Sequence, residues 1–108
     1  MVAWVLLLFA IAAEVVGTLS LKASEGFSKL WPSTGVVVGY ALAFTLLAFA
    51  LKTLNVGPAY AIWAGLGTMG AAIGGWLIFH ERLSVLTVSG IAIVIVGVVA
   101  ITLGEGRA

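Results

Sequence analysis

Cysteine is absent from this chain, which excludes disulfides and thiolate metal sites. The single histidine, His80, cannot build a metal cluster within one chain. Charge is scarce: 8% of the residues are charged, against about 25% in a soluble domain. With 63% hydrophobic residues, such a chain belongs in a membrane. A formal net charge of +1 lacks the basic excess that nucleic-acid binding draws on. The N-terminal stretch has neither a basic n-region nor an A-x-A-like cleavage pattern leading into a soluble domain, so a cleaved signal peptide is not expected. No nucleophile–base pair is visible, which argues against an enzyme, and no cofactor or metal is expected.

What the chain does contain is four apolar runs. Charged and turn-forming residues separate them into spans over about residues 2–21, 33–51, 59–79 and 85–103. Each is about 20 residues long, matching a hydrocarbon core ~30 Å thick. The connections are KASEGFSKLWP, KTLNVGP (closed by Pro58) and HERLS, short enough to make neighbouring helices antiparallel. The expected fold class is therefore an all-α membrane protein with four transmembrane helices in a single domain, residues 1–108. Nothing is left over for a soluble domain, so any chemistry lies within the bilayer. Trp4, Trp31 and Trp76 lie near span ends, where aromatic belts form.

Topology is weakly specified by charge. One side of the membrane carries Lys52 and Arg107, the other Lys22, Lys29 and Arg82. The positive-inside rule needs a larger asymmetry than this to fix an orientation. Two readings follow: insertion both ways round, with two opposed copies forming an antiparallel dimer, or one orientation set by Lys22 and Lys29.

The first span holds one carboxylate, Glu14, past its middle. At that depth a carboxylate costs ~2.5 kcal/mol or more unless it is protonated, paired or facing a polar cavity. Lys22 lies eight residues on, about 12 Å along a helix, too far to neutralise it within the same helix. Glu14 thus reads as a proton or cation site. Ala10, Gly17 and Thr18 fall on its helical face at i−4, i+3 and i+4. These small residues leave room beside the carboxylate, and they equally suit close helix packing.

The third span carries Tyr60 and Trp63 near its start, followed by Gly67, Gly70 and Gly74 along the same face. Aromatic faces attract organic cations, and a tyrosine hydroxyl can hydrogen-bond a carboxylate. An interfacial aromatic belt is the plainer reading for Tyr60. Gly65 and Gly67 place two poor helix formers in mid-span, where kinks occur. In the second span Gly35, Gly39 and Ala43 form a small-residue ridge. Tyr40, Phe44, Leu47 and Leu51 make a bulkier face beside it, either the wall of an apolar cavity or a lipid contact. The fourth span has no titratable residue. Its Gly90 and Gly97 point to a self-association surface or a lipid-facing anchor. Four short helices can hardly enclose an alternating pathway for a bulky solute, whereas two copies would place two Glu14 carboxylates around one cavity. The competing classes are weaker. A rotor subunit would not need aromatics beside its carboxylate, a small ion channel would not need a group that competes with its ion, and a scaffold would leave Glu14 without purpose.

Three stretches then carry a resemblance over essentially the whole length: AEVVGTLSLKASEGFSKLWPS at 13–33, AYAIWAGLG at 59–67, and Gly90 with Gly97. On these residues the chain resembles the small multidrug resistance transporters. The resemblance implies an antiparallel homodimer in the bacterial inner (cytoplasmic) membrane that exchanges protons for cations. Glu14 of both subunits would bind protons and substrate in competition, and Tyr60 and Trp63 would line the site. Gly65 and Gly67 would let the third span bend, and the fourth span would hold the dimer together. Gly17 and Thr18 match the branch that exports quaternary ammonium and other lipophilic cations; the guanidinium-exporting branch usually has Trp where Gly17 stands. Two features depart from that branch. Ala43 replaces a serine common near the site, and GTMGAAIGG at 67–75 with Glu81 resembles the guanidinium exporters.

Overall fold

A lipid environment offers no water to backbone N–H and C=O groups, so an apolar span must satisfy them within its own segment. The computed structural model, which describes residues 2–107 and their side chains as far as Gly104, meets this requirement with four helices. They are α1 (Val2–Ala23), α2 (Leu30–Ala50), α3 (Val56–Phe79) and α4 (Val85–Arg107). Each contains a segment long and apolar enough to cross a membrane; in α4 it runs Val85–Gly104. Among the described residues there is no strand.

The helices overrun the apolar runs at several ends. α2 begins three residues before 33 and takes Trp31 and Pro32 into its first turn, and α3 takes Pro58 into its first turn in the same way. Proline is tolerated there because the first N–H groups of a helix have no intrahelical partner. α1 continues through Lys22 to Ala23. A lysine in the last turn is favourable beside the exposed carbonyls of a helix C-terminus.

Four side-chain hydroxyls within the spans are absorbed by their own helix. Thr45 donates to the Ala41 carbonyl (2.7 Å), Thr68 to Ala64 (2.6 Å), Ser89 to Val85 (2.8 Å) and Thr102 to Val98 (2.9 Å), each four residues back. Such bonds let a polar residue sit in an apolar helix at little cost. The connections use the same chemistry. Buried Ser24 donates to the Leu21 carbonyl and accepts from the Phe27 N–H, pinning a turn in which Glu25, Gly26 and Phe27 are all left-handed. Ser84 accepts the Thr87 N–H at 3.1 Å and so caps the start of α4.

The chain divides into two compact units, Met1–Thr53 and Leu54–Ala108. In the first, α1 packs on α2. Leu7, Ala10 and Ile11 of α1 and Val36, Ala43 and Ala50 of α2 are buried. The helices come into close contact at Gly39: a Cβ there would lie 3.0 Å from the Ala13 carbonyl oxygen and 3.0 Å from the Gly17 Cα. This is backbone against backbone, the contact small residues permit in lipid. In the second unit α3 packs on α4. The contact is marked by Gly65, where a Cβ would meet Val98 Cγ2 at 2.8 Å. α4 has no buried residue along its apolar span.

Candidate functional site

Glu14 lies on the α2-facing side of α1, half-buried, one turn beyond fully buried Ala10. Thr18, one turn further on, donates its hydroxyl hydrogen to Glu14 Oε1 at 2.9 Å. The same Thr18 oxygen lies 2.8 Å from the Tyr40 hydroxyl of α2. A threonine hydroxyl has one hydrogen, and here it points at the carboxylate. The Tyr40 hydroxyl is therefore the donor to Thr18, and a directed chain runs Tyr40 → Thr18 → Glu14.

The Tyr40 ring reaches this position because of Gly17. A Cβ on Gly17 would lie 2.8 Å from both Cδ1 and Cε1 of that ring. The space beside the carboxylate that the sequence pattern suggests is thus already filled by tyrosine. Phe44, one turn along α2, meets Tyr40 edge-on with ring centroids 6.3 Å apart, while 56% of its surface stays exposed. Ala43 is fully buried in the α1–α2 contact. Ala10, likewise, is a packing residue as well as a neighbour of Glu14.

The first unit therefore brings together Ala10, Glu14, Gly17, Thr18, Tyr40 and Phe44. The other site candidates belong to the second unit. Tyr60 is 70% exposed and Trp63 half-buried. α3 runs unbroken through Gly65 and Gly67; Gly65 is buried against α4 and Gly67 half-buried. Gly90 and Gly97 face open space, with nothing within 4 Å of a Cβ at either.

Two sequence features prove to be one structural feature. At the end of α3, His80 adopts a left-handed conformation, φ 57°. The His80 and Glu81 N–H groups both return to the Gly75 carbonyl. The Glu81 carboxylate then fills the space that a Cβ on Gly75 would need. Gly75 and Glu81 thus occur together because they form the C-terminal cap of a helix. The spacing between them carries no sign of this, since it depends on the turn at His80.

At the α1–α2 connection Lys29 pairs with Glu25. The hydrogen bond and positive charge of Lys29 hold the Glu25 carboxyl below its ordinary range. Both groups are largely exposed. Among the described residues no group of His, Cys, Asp and Glu could hold a metal ion.

Four membrane-length helices with one carboxylate set in an apolar span define a small multi-pass membrane protein built around an intramembrane acid. The sequence model of the family described as Small Multidrug Resistance protein matches residues 2–103. The chain belongs to this family, and it is a multi-pass protein of the bacterial inner (cytoplasmic) membrane. It is 47% identical to the multidrug resistance protein EbrB of Bacillus subtilis (strain 168) over 102 residues, 94% of this chain and 87% of that protein. It is 42% identical to the quaternary ammonium compound-resistance protein QacE of Escherichia coli over 100 residues, 93% and 91% of the two chains. It is 48% identical to the nicotine metabolites export pump subunit NepA of Paenarthrobacter nicotinovorans over 104 residues, 96% and 90%.

Proposed function

We propose that this protein exports lipophilic and quaternary ammonium cations in exchange for protons, with Glu14 as the group for which the two compete. The observation that carries this reading is the setting of Glu14: an acid in a membrane span, hydrogen-bonded through Thr18 to a tyrosine. The names of its relatives support the substrate class, since EbrB is a multidrug resistance protein and QacE a quaternary ammonium compound-resistance protein. No cofactor is required, because the proton gradient supplies the driving force.

Exchange follows from competition at one carboxylate. A bound cation favours the ionised form and a bound proton removes the charge that holds the cation. If the empty, ionised protein rarely switches access, inward proton flow drives the cation outward. The working unit is an antiparallel homodimer, in which the two Glu14 carboxylates share one cavity. Tyr60 and Trp63 contribute aromatic faces for the cation, Gly65 and Gly67 let α3 bend, and the open glycines of α4, Gly90 and Gly97, form the dimer contact. The weak charge asymmetry between the two sides fits two opposed copies, and the unburied length of α4 fits a self-association surface.

A guanidinium exporter is the second reading, favoured by the 67–75 segment and Glu81. The capping role of Gly75 and Glu81 weakens it, because that pairing has a structural explanation independent of substrate. Gly17 also stands against it: the bulky side chain of the guanidinium branch would displace Tyr40.

The central test is Glu14→Gln in proteoliposomes, read as solid-supported membrane currents with tetraphenylphosphonium, a quaternary ammonium series and guanidinium. The variant is expected to insert normally and to lose coupled current for every substrate. Coupled transport by Glu14→Gln sinks the central role of Glu14. Wild-type currents with guanidinium alone move the protein to the other branch.

A further inference from the structure

We propose that Tyr40 is a positioning residue for the exchange: seated on Gly17, it acts on Glu14 through Thr18 and biases the carboxylate toward its cation-binding form. The inference rests on the exchange reading above and deepens it.

Four observations converge. Thr45, Thr68, Ser89 and Thr102 give their hydroxyl hydrogens to a carbonyl four residues back. Thr18 gives its hydrogen to a carboxylate four residues back. The hydroxyl of Tyr40 then completes the Thr18 oxygen at 2.8 Å. The crossing at Gly17 and Gly39 brings the two helices close enough for that reach, and the absence of a Cβ on Gly17 leaves the ring its bed.

The direction of the chain gives it a consequence. An ionised carboxylate only accepts hydrogen bonds, so Tyr40 → Thr18 → Glu14 is satisfied at every link when Glu14 is charged. A protonated Glu14 can instead donate from its own hydroxyl. If that proton is directed to Thr18, the chain must reverse and the Tyr40 hydrogen must find another acceptor. A proton on the other carboxyl oxygen leaves the chain in place but replaces a charged acceptor by a weaker neutral one. In both cases the chain supports the charged form, and hydrogen bonds in series strengthen one another. Within the α1–α2 unit competing influences are few, so in the proposed dimer the other charge at the site is the second Glu14. The other charged group of α1 is Lys22, in its last turn. α2, the helix packed on α1, has Tyr40 as its one titratable side chain. Tyr40 thus acts on the site without itself binding the proton that is exchanged.

Tetraphenylphosphonium binding measured across a pH series, in wild type and in Tyr40→Phe, Thr18→Val, Thr18→Ser, Gly17→Ala and the Tyr40→Phe/Thr18→Val double variant, tests this. At high pH every variant is expected to bind saturably, which shows that it is folded. Tyr40→Phe should move the displacement of the cation by protons to higher pH and weaken binding at neutral pH by about three- to tenfold, the size of one hydrogen bond. Thr18→Val should do at least as much, Thr18→Ser should restore the wild-type profile, and Gly17→Ala should reproduce Tyr40→Phe. The double variant should match Thr18→Val alone, because the two residues act in series. Affinity that falls equally at all pH values, or losses that add in the double variant, would overturn the proposal and leave Tyr40 as a packing or cation-contact residue. A wild-type profile that does not depend on pH overturns the exchange reading as well. A pH-dependent wild type with a superimposable Tyr40→Phe curve overturns only the role of Tyr40.

Discussion

The two halves of this chain use glycine in opposite ways. In the α1–α2 unit Gly17 and Gly39 bring the helices together until backbone meets backbone and a tyrosine ring lies across the join. In the α3–α4 unit Gly65 makes one close contact with Val98, while Gly90 and Gly97 look into open space. The first unit buries residues from both helices, including Leu7, Ala10, Val36 and Ala43. The second leaves α4 unburied along its apolar span. One pair is thus closed around an acid, and the other keeps apolar surface available for lipid or another copy of the chain. In lipid no hydrophobic force separates these two uses, so packing and hydrogen bonding decide which surfaces close.

Three substitutions would break this contrast, and a fourth should leave it untouched. Gly39→Leu drives a side chain into the Ala13 carbonyl and the Gly17 backbone, neither of which can swing aside. It is expected to cost about 1–3 kcal/mol and to abolish cation binding. A detergent melt and tetraphenylphosphonium titration that both match wild type would show that the crossing is not tight. Gly97→Leu should leave the chain's melt unchanged but weaken the proposed dimer, read by crosslinking in liposomes. Full crosslinking would remove α4 from the dimer contact. Gly65→Ala should cost less than Gly39→Leu, because the obstructing atom is a valine methyl that can shift. Its effect should fall on transport rate rather than binding, if α3 bends there. Equal losses of stability in the two variants would erase the difference between the units.

The smallest effect concerns the Glu25–Lys29 pair. Because Lys29 lowers the affinity of Glu25 for protons, any stability it adds is present above the ordinary carboxylate range. That contribution is lost as pH falls through the lowered value. The pair is exposed, and exposed pairs contribute little. Glu25→Gln should therefore leave transport and its pH profile as in wild type. A shifted profile would tie the first connection to the site.

Much of this was legible along the chain. The four spans follow from apolar length, since a membrane helix needs about 20 residues whatever its neighbours. Glu14 stands out for the same reason: the cost of a carboxylate depends on depth, and depth can be counted. Thr18 and Gly17 were found by helical spacing. The position of Tyr40 was not. It appears in the sequence among bulky residues beside a small-residue ridge, a pattern equally suited to lipid. The reason Gly75 and Glu81 occur together was also hidden, because the left-handed turn at His80 brings them into contact.

The sequence by itself determined that this chain crosses the membrane four times and carries one acid within its first crossing. Both are properties of single helices, set by local composition and a rise of about 1.5 Å per residue. The tertiary structure decided what the acid touches. Thr18 and Tyr40 are 22 residues apart, and their hydroxyls meet because Gly17 and Gly39 bring α1 and α2 into backbone contact. No periodicity within one helix contains that crossing, since it depends on which small residues of two helices find each other.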